Sequence, residues 1–250
     1  MFSNPELSHE HSLTVLNLLY EYDDFMQSIN TMVDFGCGSG SDLEWWATRT
    51  TRDEQPVPLN IKCVGIDTAP SMPMARRYKN IQYHPQDFED PIQLQKHTYD
   101  VAWCHDAFQY AVNPLSTLAH WWHAISENGM LVISVPQTAN IEFNQQAFDL
   151  PSRCYYHWTL VALIQALAVS GFDCSSGFFK KDPTDPWIHA IAYRSSEEPR
   201  NPKTTTWYDL AAAGLLPASA ANSINRYGYL RQRDLTLPWL DKSITWYGRH

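Results

Sequence analysis

Met32-Val33-Asp34-Phe35-Gly36-Cys37-Gly38-Ser39-Gly40 runs from a short apolar strand into a turn with glycine at every second position. Glycines in such a turn let the backbone take positive φ and approach a ligand closely. Residues 41–49 then restart as a helix, with Asp42 and Glu44 in its first turn, where the helix dipole favours acids. The spacing is Asp-x-Gly-x-Gly-x-Gly, not the Gly-x-Gly-x-x-Gly of dinucleotide binders, and no Gly-Lys-Ser/Thr follows, which excludes a P-loop.

Upstream, residues 8–29 predict a helix: Leu13, Leu16, Leu19 and Tyr20 recur at helical spacing, and Ser8 or Ser12 can cap its start. Downstream, 50–60 read as loop, 63–67 as a second strand and 70–78 as a short helix. Strands follow at 81–84 and 99–104, then a helix at 115–125 and a strand at 129–135. A strong helix at 159–169 is stopped by Gly171. Two more strands, 174–180 and 187–194, flank the turn Asp182-Pro183-Thr184-Asp185-Pro186. Strands alternating with helices imply a mostly parallel sheet with helices on both faces. The last two strands are too close for a parallel crossover and must pair antiparallel. The expected fold is a doubly wound, mostly parallel seven-stranded α/β sheet with an antiparallel C-terminal strand.

Beyond Arg194, residues 195–203 read as a linker, and 204–250 hold seven aromatic residues. The expected organisation is an N-terminal helical segment (1–30), a ligand-binding domain (31–195) and a linker with an aromatic, basic C-terminal extension (196–250).

Apolar residues make up 44% of the 250-residue chain and charged residues 18%, the balance of a folded globular protein. The formal charge of −9 is uneven. Residues 1–198 carry 11 Lys+Arg against 24 Asp+Glu, a net of −13, and 199–250 carry 7 against 3, a net of +4. The body would repel a phosphate backbone, while the tail can attract an anion or dock on the body. The 5 cysteines include no Cys-x-x-Cys pair. That argues against a disulfide framework or zinc site and for the reducing cytoplasm. The acidic N-terminus has no secretion pattern. The near-apolar stretch 160–169, broken by Gln165, is too short to span a bilayer. No membrane association is expected.

In an open parallel sheet, ligands bind outside the carboxyl ends of the strands. The first such end holds Asp34, Gly36, Gly38 and Gly40. The second holds Asp67, a carboxylate able to accept both hydroxyls of a ribose. Near the third is Asp87-Phe88, an acid beside an aromatic. The fourth gives Cys104-His105-Asp106.

The run 33–40 resembles motif I of class I S-adenosylmethionine (SAM)-dependent methyltransferases. Val64-Gly65-Ile66-Asp67 is similar to their second motif, and Gln86-Asp87-Phe88 to their adenine-contacting segment. The stretch 99–110 resembles the fourth-strand motif of the small-molecule branch, and 129–136 the fifth strand. The resemblance covers roughly 30–194. It implies SAM as cofactor and Asp34, Gly36, Cys37, Gly38 and Gly40 around its methionine part. Asp67 and Thr68 would lie at the ribose, Asp87 and Phe88 at the adenine, and His105 near the sulfonium. His105 and His157 are the catalytic candidates. His157 lies in Tyr155-Tyr156-His157-Trp158, where related enzymes often build the acceptor pocket. The expected reaction is methyl transfer to an O, N or C nucleophile of a small or medium-sized molecule. By the same resemblance, the motifs of the DNA amino- and cytosine C5-methyltransferases are missing.

Each residue also has a plainer reading. Asp67 or Asp106 can cap a helix, Asp87 can be a turn residue, and His105 can simply orient a loop. His120 and His123 share a helix face at a metal-compatible spacing, but no third ligand completes a set, so no metal is expected. Arg226-Tyr227-Gly228-Tyr229-Leu230-Arg231-Gln232-Arg233 could stack single-stranded nucleic acid, or be a lid or dimer arm. Nucleic acid through this extension and a homodimer therefore stay open. So do two other functions: an RNA- or protein-directed methyltransferase, and a SAM-binding or degenerate domain with a structural role.

Overall fold

Seven strands form one sheet in the order β3-β2-β1-β4-β5-β7-β6. The computed structural model describes residues 5–21, 23–68, 77–90, 97–136, 156–181 and 187–228. The strands are β1 (Thr31–Phe35), β2 (Lys62–Asp67), β3 (Ile81–Pro85), β4 (Tyr99–His105), β5 (Ile125–Pro136), β6 (Phe172–Lys181) and β7 (Trp187–Arg194). The first five pair in parallel. β7 runs antiparallel between β5 and β6. β1 and β4 are buried almost throughout, as central parallel strands covered on both faces must be.

The helices are α1 (Pro5–Glu21), α2 (Asp23–Ser28), α3 (Ser41–Ala47), α4 (Pro114–Ala124), α5 (Leu160–Val169), α6 (Trp207–Ala212) and α7 (Ala218–Tyr227). They divide the core in two. Val101, Trp103 and Val132 face α1 and α3, packing near Leu16, Leu19 and Trp46. Ala102, Cys104 and Ile133 face the other side, where Trp121 of α4 and Leu163 and Leu167 of α5 lie. This alternation is the period-2 geometry of a strand buried on both faces.

Several expectations shift in detail. The N-terminal helix is two pieces, and Ser12 is no cap: it sits inside α1 and donates to Asp42 Oδ1 at 2.7 Å. β5 begins directly after α4, because Ile125 already pairs with Tyr99 across a register irregularity. Thr159 caps α5, its side chain accepting from the Ala162 N–H. The expected helix at 70–78, the turn at 182–186 and the basic aromatic run beyond Gly228 fall wholly or mostly outside the described residues.

The segment read as a linker is tied to the domain. Ser195 donates to the Gly171 carbonyl from both N–H and Oγ, and the Arg200 N–H donates to the Val169 carbonyl at 2.8 Å. Beyond it, Leu210, Leu215, Ala220 and Ile224 are buried in the same cluster as α5. The Cys174 N–H of β6 donates to the Leu215 carbonyl at 3.0 Å.

Candidate active site

The turn after β1 is folded down onto the end of β2. The N–H groups of Gly36 and Cys37 both donate to the Ile66 carbonyl, at 2.8 and 3.2 Å. The Gly38 N–H donates to Asp67 Oδ2 at 2.9 Å, and the Gly40 N–H to the Cys37 carbonyl at 2.8 Å. All three glycines have positive φ. The turn has a closed and an open side. A Cβ on Gly36 would overlap the Ala107 methyl, whereas one on Gly38 would meet nothing within 4 Å. A turn of this form is open on its Gly38 side.

The loops after β3 and β4 meet at this turn. Trp121 of α4 is fully buried and stacks on Phe35 at 4.2 Å, with Phe108 at 5.5 Å and Phe88 at 6.0 Å. Its indole N–H donates to the Phe88 carbonyl at 3.1 Å. The Glu89 carboxylate accepts from the N–H groups of Val112 and Asn113, at 2.8 and 3.0 Å, and from Thr117 Oγ1 at 3.1 Å. It thereby satisfies orphan donors at the start of α4, which has no cap of its own. The loop after β3 is thus fastened to the loop after β4.

On the α1 and α3 face the site is acidic. Asp34 is only 3% exposed. Asp42 accepts from Ser12 through one oxygen and from the Trp103 indole N–H through the other, at 2.9 Å. Burial first, then the charges of Asp42 and Asp67, push the Asp34 carboxyl well above the usual carboxylate range. Burial likewise pushes the Cys37 thiol up, helped by Asp34 and Asp67, so this cysteine is no thiolate nucleophile.

The Asp34 shift has a consequence for stability. A carboxyl whose folded pKa is raised contributes fully below its unfolded value, about 3.9. That contribution is lost as pH rises through the folded value. Asp34→Asn removes the loss. Thermal melts should show the variant more stable than the parent at pH 7.5, with the gap closing as pH falls toward 4. A gap that does not vary with pH would remove Asp34 as its source.

His105 ends β4 and is 7% exposed, with the Trp187 ring centred 4.9 Å away. The next residue, Asp106, has φ +54, its N–H donates to the Ser134 carbonyl, and its carboxylate accepts from Gln109 Nε2 at 2.6 Å. Asp106 therefore anchors its own loop.

The other sequence candidates are placed less uniformly. Asp67 is half-buried at the end of β2 and Thr68 is exposed beside it. Phe88 is half-buried against the glycine turn. Asp87 is exposed, and its Oδ1 accepts from the Glu89 N–H at 2.9 Å, a turn-residue role. His157 is exposed, next to Tyr156, whose N–H donates to the Gln109 carbonyl at 3.3 Å. It lies over the loop after β4, in a setting unlike the buried one of His105. His120 Nδ1 is 3.3 Å from the Glu89 carbonyl. Among the described residues no group of His, Cys, Asp or Glu is placed to hold a metal ion, and no helix is long and apolar enough to cross a membrane. Sequence reasoning missed Glu89, Ser134, Trp187 and His189, and the hydrogen-bonding role of Asp42.

Residues 33–131 match a family model described as a methyltransferase domain. No curated protein matches the chain in sequence. Several solved structures share its fold. One is the CurJ carbon methyltransferase, 15% identical with a TM-score of 0.53, covering 67% of this chain and 49% of that one. The chain therefore spans about half the length of that protein. Another is the 1,6-didemethyltoxoflavin-N1-methyltransferase of Burkholderia thailandensis, with bound 1,6-didemethyltoxoflavin and S-adenosylhomocysteine. It is 14% identical, with 72% and 76% coverage and a TM-score of 0.53. A third is a SAM-dependent methyltransferase of Mesorhizobium loti, 18% identical, with 66% and 90% coverage and a TM-score of 0.53.

Proposed function

We propose that this chain, whose residues 33–131 match a methyltransferase-domain model, is a class I SAM-dependent methyltransferase whose acceptor is a small or medium-sized molecule methylated beside His105 on an O, N or C atom. The observation that carries this reading is the convergence on the glycine turn. Gly36 abuts Ala107 and Phe88, and Gly38 is bonded to Asp67, so four strand ends meet around one turn, where a ligand cleft would lie.

The residues present suit the cofactor. The open side of Gly38 leaves room for the methionine part, with Gly36, Cys37 and Gly40 shaping the turn and Asp34 behind it. Asp67 already accepts one N–H and keeps acceptor capacity for ribose hydroxyls. Thr68 borders the same position. Phe88 offers an apolar face to the adenine, with Asp87 at its rim. When bound, SAM supplies a methyl group already activated by its sulfonium. The protein's work is then to position the acceptor, exclude water and, where the nucleophile must lose a proton, take that proton at His105. His157 stands at the approach, over the loop after β4.

An acidic body supports a small acceptor over a polyphosphate, and one fold neighbour is crystallised with 1,6-didemethyltoxoflavin. The neighbours include carbon and N1 methyltransferases, so the fold leaves the acceptor atom open.

Calorimetric titration with SAM and S-adenosylhomocysteine, with NAD and ATP as controls, tests the reading, followed by transfer of labelled methyl to candidate acceptors. Micromolar binding of the two adenosyl-sulfur ligands alone is expected. Binding of NAD or ATP instead would overturn it. Asp67→Ala should weaken SAM binding by about 1–3 kcal/mol, the scale of unmade hydrogen bonds to a charged group. Unchanged affinity in a folded variant would remove Asp67 from the ribose.

A further inference from the structure

His105, Ser134 and His189 stand in one row across three strands. β4 pairs with β5 at His105 and Ser134, and β5 pairs with β7 at Ser134 and His189. The adjacent row, Cys104, Ile133 and Ala190, belongs to the α4 and α5 core. The histidine row therefore points to the opposite face, toward α1 and α3. Ser134 is small, and the two imidazoles lean over it to a centroid separation of 6.4 Å with planes within 12°. Ser134 Oγ lies 2.7 Å from His189 Nδ1. Trp187 packs on His105, which Trp103 flanks at 6.5 Å. His189 is 0% exposed and His105, the last residue of β4, 7%.

We propose that His189 is a positioning residue for His105. Anchored by Ser134, it forms with His105 a coupled imidazole pair that holds at most one proton in the working protein. Two imidazolium charges at this separation, away from bulk water, repel each other, and groups that interact this strongly titrate as a pair. Asp42 of α3, bonded to the Trp103 indole that flanks His105, favours the first proton, while burial holds Asp34 of β1 on the same side toward its neutral form. The second is opposed by the first. The acceptor's lone pair takes the methyl carbon, the electrons of the broken sulfur–carbon bond stay with sulfur, and the acceptor's proton passes to His105. The pair takes that proton as a unit, shared between the two rings, and a charge on either ring keeps the other neutral. This rests on the reading of His105 as the group at the acceptor.

The test uses the full chain with labelled histidine and follows the imidazole Cε1–H signals by NMR from pH 5 to 9. The His105 signal is assigned with His105→Gln. In the parent, His105 should titrate over a broadened, two-step curve. In His189→Gln it should titrate in one step, with its midpoint raised by about one pH unit. Ser134→Ala keeps both rings but loses the anchor, and should give an intermediate midpoint. S-adenosylhomocysteine affinity, measured alongside, should be unchanged in both variants. A His105 midpoint that is the same in parent and variants overturns the pairing. Failure of the parent to bind S-adenosylhomocysteine would instead overturn the cofactor reading, and the titration would still decide the pairing.

Discussion

Gly36→Ala is expected to abolish measurable SAM binding and to lower stability by about 2–4 kcal/mol, the sum of left-handed backbone strain and overpacking. Gly36 has φ +81, a conformation that disfavours any Cβ, and the new methyl would overlap that of Ala107. Neither side can yield easily. The turn is pinned by two N–H donors on the Ile66 carbonyl, and Ala107 follows Asp106, whose own N–H is bonded to Ser134. Relief therefore has to come from opening the glycine turn away from Phe88 and Asp67, the side where the cofactor would lie. The double variant Gly36→Ala/Ala107→Gly separates the two causes. It removes the overlap but not the strain, and should recover about half of the lost stability. Urea unfolding and calorimetry measure both effects. A single variant as stable as the parent would mean that the Gly36 to Ala107 contact is absent in solution.

What the sequence exposes is local, and what it hides is long-range. The glycine turn, Asp67 and Phe88 sit at strand ends whose types follow from short-range pattern, so they can be found along the chain. β7 was legible because the short link after β6 forces an antiparallel return. Glu89 was not legible. Its partners lie 23 to 28 residues away, and a glutamate in an acidic loop looks like any solvated charge until α4 is seen to start without a cap. Ser134 and His189 are 55 residues apart and meet only through the register of β5 and β7. A histidine inside an apolar strand is a weak signal, and the reading of β7 passed over it. The segment 195–203 has a linker's composition, yet its backbone groups are bonded to the end of α5 and to Gly171. Composition reports what a segment would do alone, not whether neighbouring carbonyls remain unsatisfied.

Trp121→Ala is expected to cost about 3–5 kcal/mol of stability, the range for removing a large buried aromatic. It should also weaken SAM binding in whatever fraction stays folded. The reason is the place of Trp121 in the molecule. It touches the end of β1 through Phe35, the loop after β4 through Phe108 and the loop after β3 through Phe88, so one side chain sets the spacing of three borders of the cleft. Trp121→Phe divides packing from polarity. It keeps an aromatic ring against Phe35 but leaves the Phe88 carbonyl without its indole donor, at a cost of about 1–2 kcal/mol. If Phe88 is held at the adenine by that hydrogen bond, the phenylalanine variant should lose SAM affinity out of proportion to its small loss of stability. If affinity instead falls only in the alanine variant, the cleft depends on the stacked core beneath it, and the Phe88 carbonyl contact is incidental. Melting curves and calorimetry on the two variants decide between these outcomes, because stability and affinity move together in one case and separately in the other.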